Sequence, residues 1–453
     1  MALELCVRGE VVTESEVLAD HCVGVEEGRI VALGKAEDFK SAARFLDCSG
    51  KFVFPGAVDA HVHAHGHREE GIGNATRAAA AGGVTTVLEH PIDVPEPATT
   101  AAHIKRKIEA LTGEAYVDFG LYAAVTRDSA LEDIAGCARA GVVGYKIFMD
   151  SSVATMPPPN DAQLLAAFQQ IARTGLVVGV HAENDSIVQA AIRRLRAEGR
   201  TDPLAHCESR PPVSETEAVA RAIELAAASG VHLHFFHLSL PRSFDLVAHA
   251  RDAGLPVTGE VCPHYLLLSS RHMDDLGARG KINPPLRDED LREVLWDYFG
   301  RGEISMVASD HAPHLLSVKQ AADIFDNPSG APGVQTMLPI LFGKAVAAGH
   351  IAPQRLAQVC CTNPARRFGL YPRKGALRVG ADADLTVIDP QARWTVTDDH
   401  MLSSAQWTPF AGEEVCGSVV ATIVRGEIVY RDGGIVAAAG HGEFISPVGP
   451  PQL

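Results

Sequence analysis

Cysteines are sparse in this sequence, and their spacing is irregular. The nine cysteines among 453 residues include one adjacent pair, Cys360-Cys361, and no C-x-x-C motif. Disulfide frameworks and structural zinc sites use cysteines at characteristic short spacings, which are missing here. We therefore expect reduced, mostly buried thiols and a cytoplasmic protein.

An excess of positive charge and long apolar runs are also missing. The 40 Lys and Arg residues face 56 Asp and Glu residues, so the formal net charge is −16. This balance argues against nucleic acid or an anionic membrane as a partner. No apolar run approaches the roughly 20 residues that cross a bilayer. The first residues also lack the basic and apolar regions of a signal peptide, so we expect neither a membrane partner nor secretion.

A long alternation of β and α patterns is present instead. Between residues 51 and 374, short runs rich in Val, Ile, Leu and Phe alternate with Ala-rich helical segments. Each run is too apolar for a sheet with one solvated face, which is typical of parallel strands buried on both faces. Eight strands are predicted at residues 52–61, 84–89, 117–125, 142–148, 176–181, 232–237, 257–262 and 304–309.

Eight β-then-α units indicate an α/β fold of the (β/α)8, TIM-like barrel type. The alternative is a doubly wound open sheet, which often begins with a Gly-rich phosphate loop. No G-x-G-x-x-G motif follows the first strand. Residues 1–50 and 375–453 show short strand patterns. We predict that these two chain ends form one small β-sandwich domain and that residues 51–374 form the barrel.

Side chains that bind metals occur at the C-terminal ends of the predicted strands, where barrel enzymes carry their chemistry. Two residues that are two positions apart in an extended chain point to the same face. Two neighbouring imidazoles on one face can form half of a metal site. The candidates are His61 and His63 on strand 1, Lys146 on strand 4, His181 on strand 5, His237 on strand 6 and Asp310 on strand 8.

Each of these residues also has a structural interpretation. A lone buried histidine is more often a hydrogen-bonded core residue than a ligand. An aspartate is a common helix N-cap, and a lysine can extend its ammonium group to solvent. Separate structural roles do not predict that all of these residues occur at the same end of five strands. We therefore favour one shared functional site.

The order of these residues resembles that of the amidohydrolase superfamily. The closer resemblance is to its cyclic amidohydrolases, namely allantoinase, dihydroorotase, and hydantoinase or dihydropyrimidinase, and it covers nearly the whole chain. The motifs that carry it are residues 55–56 (Pro-Gly), 77–86 (Arg-Ala-Ala-Ala-Ala-Gly-Gly-Val-Thr-Thr), 262–265 (Cys-Pro-His-Tyr), 283–287 (Asn-Pro-Pro-Leu-Arg) and 380–385 (Gly-Ala-Asp-Ala-Asp-Leu).

The resemblance implies a centre with two divalent metal ions. Lys146 would be carboxylated at its Nζ by CO2, and the resulting anion would bridge the two ions. Imidazole and carboxylate ligands suit zinc. The ligands would be His61, His63 and Asp310 for one ion and His181 and His237 for the other.

The resemblance also implies hydrolysis of a C–N amide bond within a ring. A two-metal site generates hydroxide near neutral pH and polarises the scissile carbonyl. Asp310 would take the proton from the attacking hydroxide and pass it to the leaving ring nitrogen. By the same resemblance, we expect a small cyclic amide as the partner and a homo-oligomer, either a dimer or a tetramer.

The motifs divide among several substrates. Ser151, five residues after Lys146, replaces the tyrosine of hydantoinase-like members and is more similar to allantoinase. Asn283 and His314 are more similar to dihydroorotase. His65 stands where dihydroorotase typically has Arg and allantoinase has Asn. The predicted substrate-binding residues are therefore His65, Ser151, Asn283 and His314.

These features favour an allantoinase-like enzyme. Dihydroorotase, hydantoinase or dihydropyrimidinase activity, or hydrolysis of an unfamiliar cyclic amide, remain alternatives. An alternative of another class is a hydantoinase-like scaffold protein that has lost its metal ligands, but all six ligand positions are intact here. The imidazole of His65 cannot form the two-point contact that Arg makes with the carboxylate of dihydroorotate. We therefore expect weak or no activity on dihydroorotate.

Overall fold

The computed structural model describes residues 3–39, 42–64, 66 and 69–452. Its strands are β1 (Leu3–Val12), β2 (Val17–Glu26), β3 (Arg29–Lys35), β4 (Ala42–Pro55), β5 (Ala57–Val62), β6 (Val84–Glu89), β7 (Asp118–Ala124), β8 (Gly144–Phe148), β9 (Val177–His181), β10 (His232–Phe235), β11 (Val257–Val261), β12 (Met306–Val307), β13 (Leu385–Thr395), β14 (Glu414–Val424), β15 (Glu427–Arg431) and β16 (Gly434–Ile435).

The α-helices follow most of the central strands. They are α1 (Gly71–Ala81), α2 (Ala101–Leu111), α3 (Asp133–Arg139), α4 (Asp161–Ala172), α5 (Asp185–Ala197), α6 (Pro203–Ser209), α7 (Pro212–Ser229), α8 (Pro241–Asp252), α9 (Pro263–Leu267), α10 (Met273–Leu276), α11 (Glu289–Arg301), α12 (Met337–Leu341), α13 (Pro353–Ala357) and α14 (Asn363–Arg367). Short 3-10 helices cover Ala36–Asp38, Ser270–His272, Gly277–Gly280, Leu316–Val318, Ile324–Asp326 and Asp398–His400, and π-helices cover Phe342–Val346 and Gln358–Thr362.

Eight parallel strands, β5 to β12 in chain order, form the barrel. Every residue of β5 to β9 is buried, as expected for parallel strands that are covered on both faces. The two ends of this sheet meet between β5 and the segment after β12. There the His63 N–H donates to the carbonyl of His311 at 2.8 Å, and the His311 N–H donates to the carbonyl of His61 at 3.2 Å. The predicted barrel is confirmed.

The remaining eight strands form a second, mixed sheet that takes residues from both chain ends, as predicted. Its order is β16-β15-β14-β13-β4-β1-β2-β3, and β1 pairs with β4 in parallel. One face is packed with a separate apolar cluster that joins both chain ends and includes Leu5, Val7, Val23, Leu385, Val387 and Ile423. The division of the chain into domains at residues 50 and 374 stays a prediction.

The first predicted barrel strand is wrong over residues 52–55. These four residues are the end of β4 and pair with β13 in the second sheet. Gly56 separates the two sheets, and a Cβ at Gly56 would lie 2.1 Å from Oγ1 of Thr85. Only glycine permits this close approach. The apolar pattern did not indicate the change of sheet because both strands are buried here.

The burial of the cysteines agrees with the prediction from their spacing. Seven of the nine cysteines are buried, and Cys207 and Cys416 are partly exposed. None of the helices in the described part of the chain is both long and apolar enough to cross a membrane.

Candidate metal centre

The six predicted ligand residues lie together at the C-terminal end of the barrel. All six line one cavity of about 580 Å³. They are His61 on β5, His63 just after it, Lys146 on β8, His181 at the end of β9, and His237 and Asp310 shortly after β10 and β12.

Three of these side chains direct ligand atoms at one point. Nε2 of His61 lies 3.2 Å from Nε2 of His63, and Oδ1 of Asp310 lies 3.2 Å and 3.3 Å from these two nitrogens. Ligand atoms around a tetrahedral zinc ion with bonds of about 2.0–2.1 Å are separated by about 3.3 Å. The triangle therefore has the size that a divalent cation requires.

A second pair of imidazoles lies beside this triangle. Nδ1 of His181 is 3.0 Å from Nε2 of His237. Ligand atoms of His61, His237 and Asp310 all lie within 4.8 Å of one another, so the pair and the triangle are continuous. This arrangement has enough donors for two adjacent cations. The donor set therefore fits divalent metal ions.

Lys146 lines the same cavity as the two groups of ligands and is fully buried. Its Nζ has no hydrogen-bond partner among the described residues. It is 4.1 Å from the centre of the Phe236 ring and 4.5 Å from that of Phe148. Burial lowers the pKa of Lys146 to about 7, although the carboxylates of Asp310 and Glu260 oppose this change. A neutral amine is therefore well populated near neutral pH.

Buried carboxylates hold two of the candidate ligands from behind. Oε1 of Glu260 lies 2.6 Å from Nδ1 of His61, and Oε2 of Glu260 lies 3.2 Å from Nε2 of His234. Oε2 of Glu183 lies 2.9 Å from Nε2 of His181. Such contacts fix the tautomer of a metal-binding histidine and leave the opposite nitrogen for the metal.

The sequence prediction missed these carboxylates and a further histidine. Glu260 is a charged residue in the fully buried strand β11, and Glu183 follows His181 by two positions. Both features are visible in the sequence and could have identified these carboxylates. His90, directly after β6, stacks on His61 with ring centres 4.0 Å apart. It forms a possible metal-binding group with His61 and His63.

Two candidate ligands have an unusual backbone conformation. The φ angles of His237 and Asp310 are 41° and 48°, in the left-handed region that few residues other than glycine adopt. The backbone N–H of His237 donates to Glu260 at 3.3 Å. Such conformations persist where surrounding contacts enforce them, and they are concentrated at functional sites.

The sequence of this chain matches one known protein family over most of its length. Residues 52–429 match the amidohydrolase family. This chain belongs to the amidohydrolase family. The match includes the whole barrel and every candidate ligand.

Two curated relatives match this amidohydrolase over nearly their full length. The allantoinase of Rubrobacter xylanophilus is 38% identical, with 98% of each chain covered. The L-hydantoinase of Paenarthrobacter aurescens is 34% identical, with 97% of this chain and 96% of the relative covered. Among solved structures, the L-hydantoinase (dihydropyrimidinase) from Arthrobacter aurescens superposes with a TM-score of 0.95 at 33% identity and covers 98% of this chain and 100% of its own.

Two of the predicted substrate-binding residues line the cavity of the amidohydrolase. They are Asn283 and His314. Nε2 of His314 lies 3.1 Å from the carbonyl oxygen of Ser329, and burial lowers the pKa of His314 to about 4. The imidazole is therefore neutral near neutral pH. His65, together with His67, lies outside the described residues.

The structure places Ser152, rather than Ser151, at the cavity. Ser151 is exposed, and its hydroxyl donates to Asp185 at 2.9 Å. Ser152 lines the cavity, and its Oγ accepts a hydrogen bond from Nδ2 of Asn283 at 3.1 Å. The two adjacent serines could not be distinguished by spacing alone, because the segment that carries them is irregular.

The outer wall of the cavity is largely apolar. Val94 and Val318 both line it and are 49% and 54% exposed. Ile92, Phe148 and Val153 extend the same apolar wall inward. In this amidohydrolase, polar ligand residues therefore occupy the floor and apolar side chains the entrance.

Proposed function

We propose that this amidohydrolase opens a C–N bond of a cyclic amide or ureide, with an allantoin-type ring as the first candidate. The observation that carries this proposal is the convergence of His61, His63 and Asp310 beside the buried amine of Lys146. Relatives named allantoinase and hydantoinase, at 38% and 34% identity, support the substrate class.

The metal ions in this proposal are zinc, held by the six ligand positions. Lys146 reacts with CO2: its neutral Nζ forms a bond to the carbon and loses one proton, which leaves an N-carboxylate. The unpartnered, buried Nζ supports this step, because the product would exchange an unpaired amine for an anion between two cations. When bound, the ions would supply a hydroxide near neutral pH and polarise the scissile carbonyl.

The chain itself supplies proton transfer and orientation. The carboxylate of Asp310 accepts the proton of the attacking group and delivers it to the ring nitrogen that leaves. Asn283, Ser152 and the neutral imidazole of His314 contact the amide groups of the ring. A ring of this kind presents N–H donors and carbonyl acceptors, which match neutral polar side chains.

Hydantoins with an apolar substituent are the second candidate substrates. The observation that favours them is the exposed apolar wall at Val94 and Val318, because apolar area at a cavity entrance is most useful when a ligand covers it. Dihydroorotate is disfavoured: no arginine is among the described residues that line the cavity, so the two-point carboxylate contact has no donor there.

A scaffold role without catalysis is disfavoured for a different reason. Such a protein has no need of a complete ligand set, and all six positions here carry ligand-type side chains in one cavity. We further expect, from the family resemblance, a dimer or tetramer, and from the buried thiols, a cytoplasmic protein. Light scattering and cell fractionation measure these two properties.

The test is a turnover screen with zinc-loaded protein prepared in the presence of bicarbonate. Allantoin, a benzyl-substituted hydantoin, dihydrouracil and dihydroorotate are compared at equal concentration. We expect hydrolysis of allantoin or the hydantoin and little of dihydroorotate. Protein stripped of metal is the control. If the loaded protein opens none of these rings, the proposed function is wrong.

A further inference from the structure

Arg210 is a buried arginine beside the candidate metal centre, directly after α6, and it is 5% exposed. Its Nη1 donates to Oδ2 of Asp150 at 3.2 Å and also to Glu183. Its Nη2 donates to Oγ of Ser152 at 3.0 Å. One guanidinium group therefore contacts two carboxylates and one hydroxyl.

The two carboxylates also contact a candidate metal ligand. Nε2 of His181 lies 2.9 Å from Glu183 and 3.4 Å from Oδ1 of Asp150. All three side chains are almost completely buried. Both carboxylates contact the same nitrogen of His181, so they lie close together. Two neighbouring buried carboxylates repel each other unless a positive charge compensates them. Arg210 supplies that cation and holds both carboxylates in the orientation that directs Nδ1 of His181 towards His237.

The hydroxyl is connected to the substrate side of the cavity. Oγ of Ser152 accepts a hydrogen bond from Nδ2 of Asn283 at 3.1 Å and donates to Asp150. Ser152 and Asn283 both line the cavity. Ser152 is therefore bonded to the same arginine as the side chains that support His181, and Asn283 is connected to that arginine through Ser152.

We infer that Arg210 is a positioning residue that couples the substrate contacts of Ser152 and Asn283 to the metal ligand His181. This inference rests on the proposed function, because it assigns a metal to His181 and a ring to Asn283. A lysine cannot replace Arg210, since a single ammonium group lacks the planar fork that reaches both partners. A displacement of Asn283 would then change how His181 is supported, and a displacement of His181 would change the position of Asn283.

Arg210→Lys tests the inference by two independent measurements. The zinc affinity of the metal-free protein, measured by competition with a chelator, should fall by about 10-fold or more, as for other residues that support a ligand. The KM for the ring substrate should rise as well. A folded variant with the zinc affinity and KM of the wild type would overturn the inference.

Arg287→Lys is the matched control. Arg287 is equally buried, donates to Ser239 and Glu215 at 2.8 Å and 3.1 Å, and contacts Arg210 only through its backbone carbonyl. It should lower the midpoint of thermal unfolding without changing zinc affinity or KM. Equal losses in both variants would mean that Arg210 has only a structural role.

Ser152→Ala and Glu183→Gln separate the two sides of the network if Arg210→Lys does not fold. Ser152→Ala should mainly raise KM with a smaller loss of zinc affinity, and Glu183→Gln should mainly lower zinc affinity. The double variant should deviate from additivity, because both residues are bonded to Arg210. Additive effects would contradict the coupling. If the wild type opens no ring, the proposed function fails, whereas zinc affinity still tests the support of His181.

Discussion

Oε1 of Glu260 lies 2.6 Å from Nδ1 of His61, and both residues are fully buried. The two residues come from β11 and β5, so the contact crosses the interior of the barrel. In the tautomer that carries the hydrogen on Nδ1 of His61, Glu260 accepts this hydrogen bond and a lone pair on Nε2 faces His63 and Asp310. Glu260 thus determines which nitrogen of His61 is available to a metal.

Glu260→Gln should weaken metal binding while it leaves the fold intact. An amide keeps the size of the side chain but changes the hydrogen-bond partner of Nδ1 of His61, and changes of this kind cost about 10–100-fold in metal affinity. Chelator competition followed by elemental analysis measures the effect. Glu224→Gln, on the exposed surface of α7, is the control and should bind zinc like the wild type. Unchanged affinity in Glu260→Gln would contradict this role.

Lys146→Ala should lose most of the metal and the activity. The substitution removes the buried amine that lines the same cavity as the histidines and that we propose to carry the bridging anion. Added acetate or propionate should restore part of the activity by occupying the space. Lys374→Ala removes another buried lysine, one paired with Asp384 at 2.8 Å, and should reduce stability but keep the metal. Two metal ions and full turnover in Lys146→Ala would exclude a carboxylated lysine.

Asp310→Asn should separate proton transfer from metal binding. An amide oxygen still ligates weakly, but it cannot accept and deliver a proton, and general acid–base catalysis contributes about 10²–10⁴-fold. We expect kcat to fall within that range while some zinc is retained. Asp185→Asn, which changes the hydrogen-bond partner of Ser151 and Gln189 outside the cavity lining, should keep its kcat. A decrease smaller than about 10-fold with metal retained would remove Asp310 from proton transfer.

Val318→Asn should distinguish the two candidate substrate classes. Val318 is 54% exposed at the cavity, and a polar amide there should weaken contact with an apolar substituent but not with the ureido group of allantoin. The kcat/KM for a benzyl-substituted hydantoin should fall several-fold relative to allantoin; burying a side chain of this size is worth about 1.5–3 kcal/mol at most. Val294→Asn, on α11, is the control. Equal decreases for both substrates would show that the wall does not select the substituent.

The barrel could be predicted because its strands carry their own signal. β5 to β9 are buried on both faces, so each appears as an apolar run whatever the rest of the chain does. The candidate ligands stand out as polar residues in such runs, with His61 and His181 near the ends of their strands and Lys146 within β8. The change of sheet at Gly56 could not be predicted, because it depends on the close approach of Gly56 to Thr85 rather than on hydropathy.

Contacts between distant residues account for the part that was missed. Glu260 and Arg210 contact residues that are distant from them in the sequence. The largest separation is 199 residues, between Glu260 and His61. Neither periodicity nor local spacing describes such contacts. The choice between Ser151 and Ser152 could not be predicted for a similar reason. Only the path of the irregular segment decides which of the two hydroxyls lies at the cavity.

The closure of the barrel has a thermodynamic consequence. The junction between β5 and the segment after β12 consists of few backbone hydrogen bonds, and the triangle of His61, His63 and Asp310 lies across it. An ion bound there would connect the first and last strands of the barrel and would dissociate when they separate. A ligand at 100 times its Kd stabilises the native state by about 2.7 kcal/mol. Metal removal should therefore increase hydrogen exchange at the amides of His63 and His311 more than at the amides in the middle of β8.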